Sequence, residues 1–113
     1  MTILRERIAD ATRARTDLLD LVRTFTPAQA AFRAAPDEWS IAENLEHLVV
    51  AEQGSINRVS PAVHGLDPRD VVTPHPISGP WDADQWLAFV RFHLVLHRAQ
   101  IESVIREAAF PRS

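Results

Sequence analysis

Hydrophobic residues recur every three or four positions in three long segments of the chain, and polar residues fill the positions between them. This spacing places the apolar side chains of each segment on one side of an α-helix. The pattern predicts a first helix from about Thr2 to Thr24 and a second from Ile41 to about Val59. A last helix is predicted to follow Asp82 and to end near Ala108.

Residues that cap helices precede each of these starts. Ser40–Glu43 and Asp82–Gln85 both pair an N-cap side chain with Glu or Gln three positions later, as in a capping box. Thr26–Gln29 shows the same signal with Pro at the first helical position, which predicts a short helix ending near Ala34.

The interval between the second and the last helix has a different composition. Ser60–Gly65 predicts one separate helical turn, with Ser60 as its cap and Gly65 as its end. Leu66–Pro80 is rich in proline, which leaves no room for a long helix and predicts a loop. We therefore expect an all-α fold in which residues 1–113 form one domain around one core.

The residue types that are missing restrict the chemistry. The chain has no Cys, Lys or Tyr, which excludes a thiolate nucleophile, a disulfide and Schiff-base catalysis within it. The net charge of −3 comes from interspersed acids and arginines, so we expect neither nucleic-acid nor membrane binding. The chain shows no signal peptide or membrane span, and we expect a cytoplasmic protein.

Histidines are the candidates for chemistry. His93 and His97 lie four residues apart on the apolar stripe of the last helix, so their rings can aim at one point. His47 lies on the flank of the apolar side of the second helix. Three neutral imidazoles from two packed helices would form a metal site with open coordination positions.

The spacing alone also fits a second interpretation. His93 and His97 would then be polar core residues that hydrogen-bond to carbonyl groups or acids, without any metal. His64 and His75 fall in the predicted turn and loop, where a solvated role is expected more than ligation.

Two motifs resemble the DinB/YfiT superfamily of small helical metalloproteins. The first is EWSIAENLEHLVVAE at 38–52, and the second is HPISGPWDADQWLAFVRFHLVLHRAQI at 75–101. The family pattern is a Trp-Ser helix start leading to His-Leu, then a Pro/Gly loop and a final helix with H-x-x-x-H and Gln-Ile. The positions that match it here are Trp39, Ser40, His47, Leu48, Gly79, Trp86, His93, His97, Gln100 and Ile101.

The resemblance implies a helical bundle that holds zinc or nickel through His47, His93 and His97. It also implies a metal-dependent thiol S-transferase or hydrolase that acts on a small molecule. The resemblance further implies a low-molecular-weight thiol as cosubstrate, as in several relatives, and the absence of Cys from this chain fits that role. On the basis of this resemblance we expect Asn44 and Gln100 to lie next to the metal ligands and support them. We also expect His75 to line the substrate pocket.

The chain departs from the family in the interval before the last helix, where relatives commonly have a full helix. We expect three long helices, with the usual third helix of the four-helix bundle shortened or missing. Such a bundle would leave an apolar groove uncovered, which predicts a homodimer. The alternative to an enzyme is therefore a non-catalytic dimeric helical module derived from the family. A further departure is Leu96, where relatives often have Arg.

Overall fold

The computed structural model describes residues 2–63, 69, 73–75 and 79–112, and they form a predominantly helical fold. The elements in chain order are α1 (Thr2–Val22), α2 (Pro27–Ala31), α3 (Ile41–Val63), β1 (Thr73–His75), β2 (Gly79–Trp81) and α4 (Ala83–Ile105). Within these residues three helices are long, as the sequence predicts, and the described part of the interval before α4 contains no helix. The all-α prediction is confirmed.

The end of α3 differs from the prediction. The helix continues through Ser60 and Pro61 to Val63, so Ser60 does not cap a separate turn. A proline this late in a helix removes one backbone hydrogen bond. Burial opposes that cost, because Ala62 is 4% exposed and belongs to an apolar cluster with Trp86 of α4. The predicted end of the turn, at His64 and Gly65, lies outside the described residues.

Three other helices end earlier than predicted, the first being α1, which ends at Val22 instead of near Thr24. α2 ends at Ala31 instead of near Ala34, because Phe32 already has an extended backbone with ψ of 133°. α4 ends at Ile105 instead of Ala108, with Arg106 as its C-cap.

Part of the predicted loop is a small antiparallel hairpin, so the loop prediction was wrong there. β1 and β2 pair Thr73 with Trp81 and His75 with Gly79, and the prolines at 74 and 80 face each other. Neither proline has an N–H to donate. Two prolines can therefore face each other only at a non-hydrogen-bonded position of an antiparallel pair, where no backbone donor is needed. Apart from Arg69, which lies in a turn, the rest of the predicted loop lies outside the described residues.

α4 lies at the centre of the fold and packs against both α1 and α3. α3 runs antiparallel to α4, because Asn44 near the start of α3 contacts His97 late in α4, while Arg58 lies over the early Trp86. The core side chains shared by the three helices are Ala11, Leu18, Ile41, Leu48, Val90, Leu94, Ile101 and Val104, with Phe110 after α4. No helix among the described residues combines the length and apolar character that a membrane crossing needs.

Candidate metal centre

Three histidines meet between α3 and α4. The Nε2 atom of His93 lies 3.1 Å from Nε2 of His47 and 3.0 Å from Nε2 of His97. Candidate ligand atoms of all three lie within 4.8 Å of one another. His97 is buried, whereas His47 and His93 are partly buried. The three residues that the sequence singles out are thus brought together.

Helix geometry explains this convergence. His93 and His97 are one turn apart on α4, and their ring centroids are 4.5 Å apart at a nearly perpendicular angle of 88°. Because α3 runs antiparallel beside α4, His47 approaches both rings from the second helix, with centroid distances of 4.9 and 5.0 Å. Two directions of approach are what a shared ion requires and one helix cannot supply.

The three Nε2 atoms cannot satisfy one another by hydrogen bonding. A neutral imidazole offers one donor and one acceptor nitrogen, and His97 uses its Nδ1 toward Asn44. If His93 donates through Nε2, it can serve only one of its two neighbours, so the other neighbour finds no donor within the cluster. A metal ion accepts all three lone pairs.

The distances also fit a metal ion. For metal–nitrogen bonds near 2.0–2.1 Å, two ligand nitrogens of one ion stand about 3.0 to 3.4 Å apart. The separations of His93 Nε2 from the Nε2 atoms of His47 and His97, 3.1 and 3.0 Å, fall in this range. The cluster can therefore hold a metal ion.

The protonation state of the rings favours the same chemistry. Burial lowers the pKa of His93 to about 4, helped by the neighbouring His97 and His47, which oppose a further positive charge. The pKa of His97 is also lowered, first by burial and then by His47. Both rings are therefore neutral at pH 7, which is the form that binds a metal.

Asn44 holds one of the rings in place. Its side chain is 1% exposed, and its Oδ1 atom lies 2.7 Å from Nδ1 of His97. Its Nδ2 atom donates to the carbonyl oxygen of Ser40, the residue before α3, at 3.0 Å. Asn44, which the sequence predicts to support the ligands, thus contacts one of the candidate ligands.

A cavity of about 540 Å³ opens beside the cluster. Trp39 forms part of its wall, with its ring 5.1 Å from that of His47 and stacked at 6.1 Å on His97. Gln100 lines the cavity as well, so this predicted residue borders the site. The remaining described lining residues are Ala34, Asp37, Glu38, Asn44, Ser103, Val104 and Glu107.

The two remaining histidines lie partly or wholly outside the described part of the chain. His75 lies in β1, but its side chain is outside the described part of the chain, and so is all of His64. The pocket role of His75 stays a prediction.

Sequence analysis missed Phe89, whose ring stacks on His93 at 4.9 Å and 20°. Its position one helical turn before His93 was the available signal.

Comparison with known proteins gives one family match. The model of the DinB superfamily matches residues 10–71, more than half of the chain, which includes Asn44 and His47 and ends before His93. Searches of curated proteins and of solved structures find no significant match. Together with the helical fold, the family match shows that this chain belongs to the DinB superfamily.

Proposed function

We propose that the chain binds one zinc or nickel ion through the Nε2 atoms of His47, His93 and His97. The observation that carries this proposal is the approach of the three Nε2 atoms, at 3.0 and 3.1 Å about His93, in an arrangement where the three rings cannot satisfy one another by hydrogen bonding. Three imidazoles on one side of an ion leave the opposite side open for exogenous ligands.

We further propose that the site serves a metal-dependent thiol S-transferase or hydrolase. A bound zinc or nickel ion would lower the pKa of a coordinated thiol or water and so supply a nucleophile. The chain contains no Cys, so the sulfur in a transfer reaction has to come from a low-molecular-weight thiol. We place this activity in the cytoplasm, where such thiols are kept reduced.

The cavity beside the cluster has features that suit a small substrate. Its volume of about 540 Å³ lies within the usual range for small-molecule sites. Its described lining includes Asp37, Glu38 and Glu107 and no arginine. Away from the proposed ion these acids would repel an anionic group, which favours a neutral or positively charged thiol over an anionic one such as glutathione.

The first test is metal content. Purified protein dialysed against zinc or nickel should retain about one ion per chain, and His93→Ala should retain much less. Arg91→Ala serves as a matched control, because it changes an exposed position of the same helix. If neither ion binds to the wild-type protein near one equivalent, the proposed function is overturned.

The second test is activity. The metal-loaded protein is mixed with a small alkyl halide and either a neutral thiol or glutathione, and thiol consumption is followed. We expect turnover that depends on the metal, is faster with the neutral thiol and is lost in His47→Ala. Turnover that survives metal removal would contradict a metal-dependent reaction.

Exposed apolar residues support the alternative, a non-catalytic dimeric module. Val49 and Val50 on α3 and Phe92 on α4 are 69%, 70% and 60% exposed. Side chains of this kind are often covered by a partner, and we propose a second copy of this chain. Light scattering should give a dimer that Phe92→Asp weakens, whereas a monomer at all concentrations would contradict this proposal. A dimer that retains metal but turns over no substrate would favour the module.

A further inference from the structure

The orientation of the Asn44 amide can be deduced from its partners. Its nitrogen and oxygen are distinguished by what they face, and the side chain is nearly fully buried. The carbonyl oxygen of Ser40 only accepts hydrogen bonds, so the amide group near it, at 3.0 Å, has to be Nδ2. Oδ1 therefore faces His97.

This orientation determines the tautomer of His97. Because Oδ1 only accepts, the Nδ1 atom of His97 at 2.7 Å must carry the hydrogen. A neutral ring that is protonated on Nδ1 has its lone pair on Nε2, and Nε2 is the atom that faces His93. The Asn44 amide thus keeps the lone pair of His97 on Nε2, the candidate ligand atom, in the metal-free protein.

Ser40 is itself held by the N-terminal capping box of α3. The backbone N–H of Ser40 donates to Oε1 of Glu43 at 2.9 Å, and the backbone N–H of Glu43 donates to Oγ of Ser40 at 3.1 Å. Arg33, beyond α2, donates from Nε to the same Oε1 at 2.7 Å. A continuous set of hydrogen bonds therefore runs from a surface arginine to the ring of His97.

The N-terminus of α4 provides an internal comparison. Asp82 and Gln85 form the same capping box, with backbone N–H donors at 2.9 and 2.8 Å. These two hydrogen bonds lie within the box, and neither involves a histidine. One box only caps its helix, whereas the other also supports Asn44.

We propose that Asn44 is a positioning residue of the metal centre, fixing His97 with Nε2 as its free nitrogen, and that the α3 capping box holds Asn44 in place. This inference rests on the proposed metal binding, but its tautomer component concerns the metal-free protein. Asn44 acts through His97 and touches neither metal nor substrate.

The first experiment measures the tautomer directly. Long-range ¹H–¹⁵N correlation spectra of the metal-free protein should show His97 protonated on Nδ1 in the wild type and in Asn44→Asp, which keeps an acceptor oxygen. Asn44→Leu, which has nearly the same shape without an acceptor, should lose this preference. A wild-type ring protonated on Nε2 would overturn the inference whether or not the protein binds metal.

The second experiment measures zinc affinity by competition with a chromophoric chelator. Loss of a hydrogen bond to a metal-bound histidine typically costs about 10–100-fold in affinity, which is the decrease we expect for Asn44→Leu. Asn44→Asp should restore most of it. Equal affinity in the wild type and Asn44→Leu would overturn the inference while leaving the proposed function intact; absence of zinc binding by the wild type would overturn both.

Matched capping variants test the second part of the proposal. Ser40→Ala and Asp82→Ala each remove an N-cap side chain, so both should lower the melting temperature. Only Ser40→Ala should lower zinc affinity, by several-fold. If both variants change zinc affinity equally, the capping box of α3 has no special role at the site.

Discussion

The two sides of α4 pack in different ways. Toward α1 the contact is apolar, with Ala11 and Leu18 in the shared core, and its rim is closed by an ion pair between Arg7 and Asp84. Toward α3 the contact contains buried polar groups, with Asn44 at 1% and His97 at 5% exposure. The same helix thus has an apolar contact with a charged rim on its α1 side, the apolar seam, and a contact with buried polar groups on its α3 side, the polar seam.

The difference indicates what each seam is for. Burying a polar group costs free energy unless it finds a partner, and an apolar side chain of similar size would pack at lower cost. The α1 seam buries apolar side chains, which costs less free energy, and it stabilises the fold. The α3 seam contains three histidines whose Nε2 atoms cannot all satisfy one another, together with the amide of Asn44, and this arrangement favours the proposed metal binding.

The largest expected effect comes from the apolar seam. Leu18 is 3% exposed, and Leu18→Ala should lower the free energy of unfolding by about 2–5 kcal/mol through lost burial and the cavity that remains. Urea denaturation measures this change. A loss below 1 kcal/mol, on the order of a surface substitution, would show that α1 contributes little to the core.

Zinc binding at the α3 seam should stabilise the protein by an amount that does not depend on the apolar packing of α1. At a free zinc concentration about 100 times the dissociation constant, binding should stabilise the folded protein by about 2.7 kcal/mol. The increment should be equal in the wild type and Leu18→Ala under conditions where both are folded. A smaller increment in Leu18→Ala would show that the two seams are coupled.

Acid should weaken the hydrogen bonds that Glu43, in the capping box beside the polar seam, accepts from Arg33 and Ser40. The hydrogen bonds from Arg33, followed by the backbone N–H of Ser40, lower the pKa of this carboxyl group from 4.5 to about 2. A lowered pKa in the folded state adds stability above pH 4.5, and that stability is lost as the pH falls toward 2. Glu43→Gln should therefore show a shallower loss of stability in this window. Identical acid denaturation curves would contradict the ion pair.

The smallest effect is expected at the rim of the apolar seam. Arg7 and Asp84 are joined at 2.8 Å but remain partly exposed, with side-chain exposures of 41% and 30%. Arg7→Gln should lower the free energy of unfolding by less than about 1 kcal/mol, and the difference should shrink at high salt. A larger, salt-independent loss would assign this pair a structural role.

Local signals explain which features the sequence could predict. Capping residues and apolar periodicity located the starts of α2, α3 and α4, since both depend on neighbours within one turn. The histidine cluster was also predictable. His93 and His97 lie four residues apart on the apolar side of one helix, and the family resemblance covers both this motif and the one that contains His47.

Tertiary contacts explain the features that were missed. The extension of α3 to Val63 depends on packing of Ala62 near Trp86, and β2 is fixed by contact of Trp81 with the rings of Trp86 and Phe89 at 5.2 and 5.4 Å. Side-chain partners across two helices, such as Asn44 with His97, likewise need the register of α3 against α4. No pattern within one segment determines that register.

The most direct test of the metal centre is a zinc K-edge X-ray absorption spectrum of the zinc-loaded protein. We expect three imidazole nitrogens near 2.0–2.1 Å, with one or more oxygen ligands completing the sphere. His93→Ala, if any zinc remains bound, should show one imidazole fewer. A wild-type spectrum dominated by carboxylate oxygens, with fewer than three imidazoles, would contradict the assignment of His47, His93 and His97 as the metal ligands.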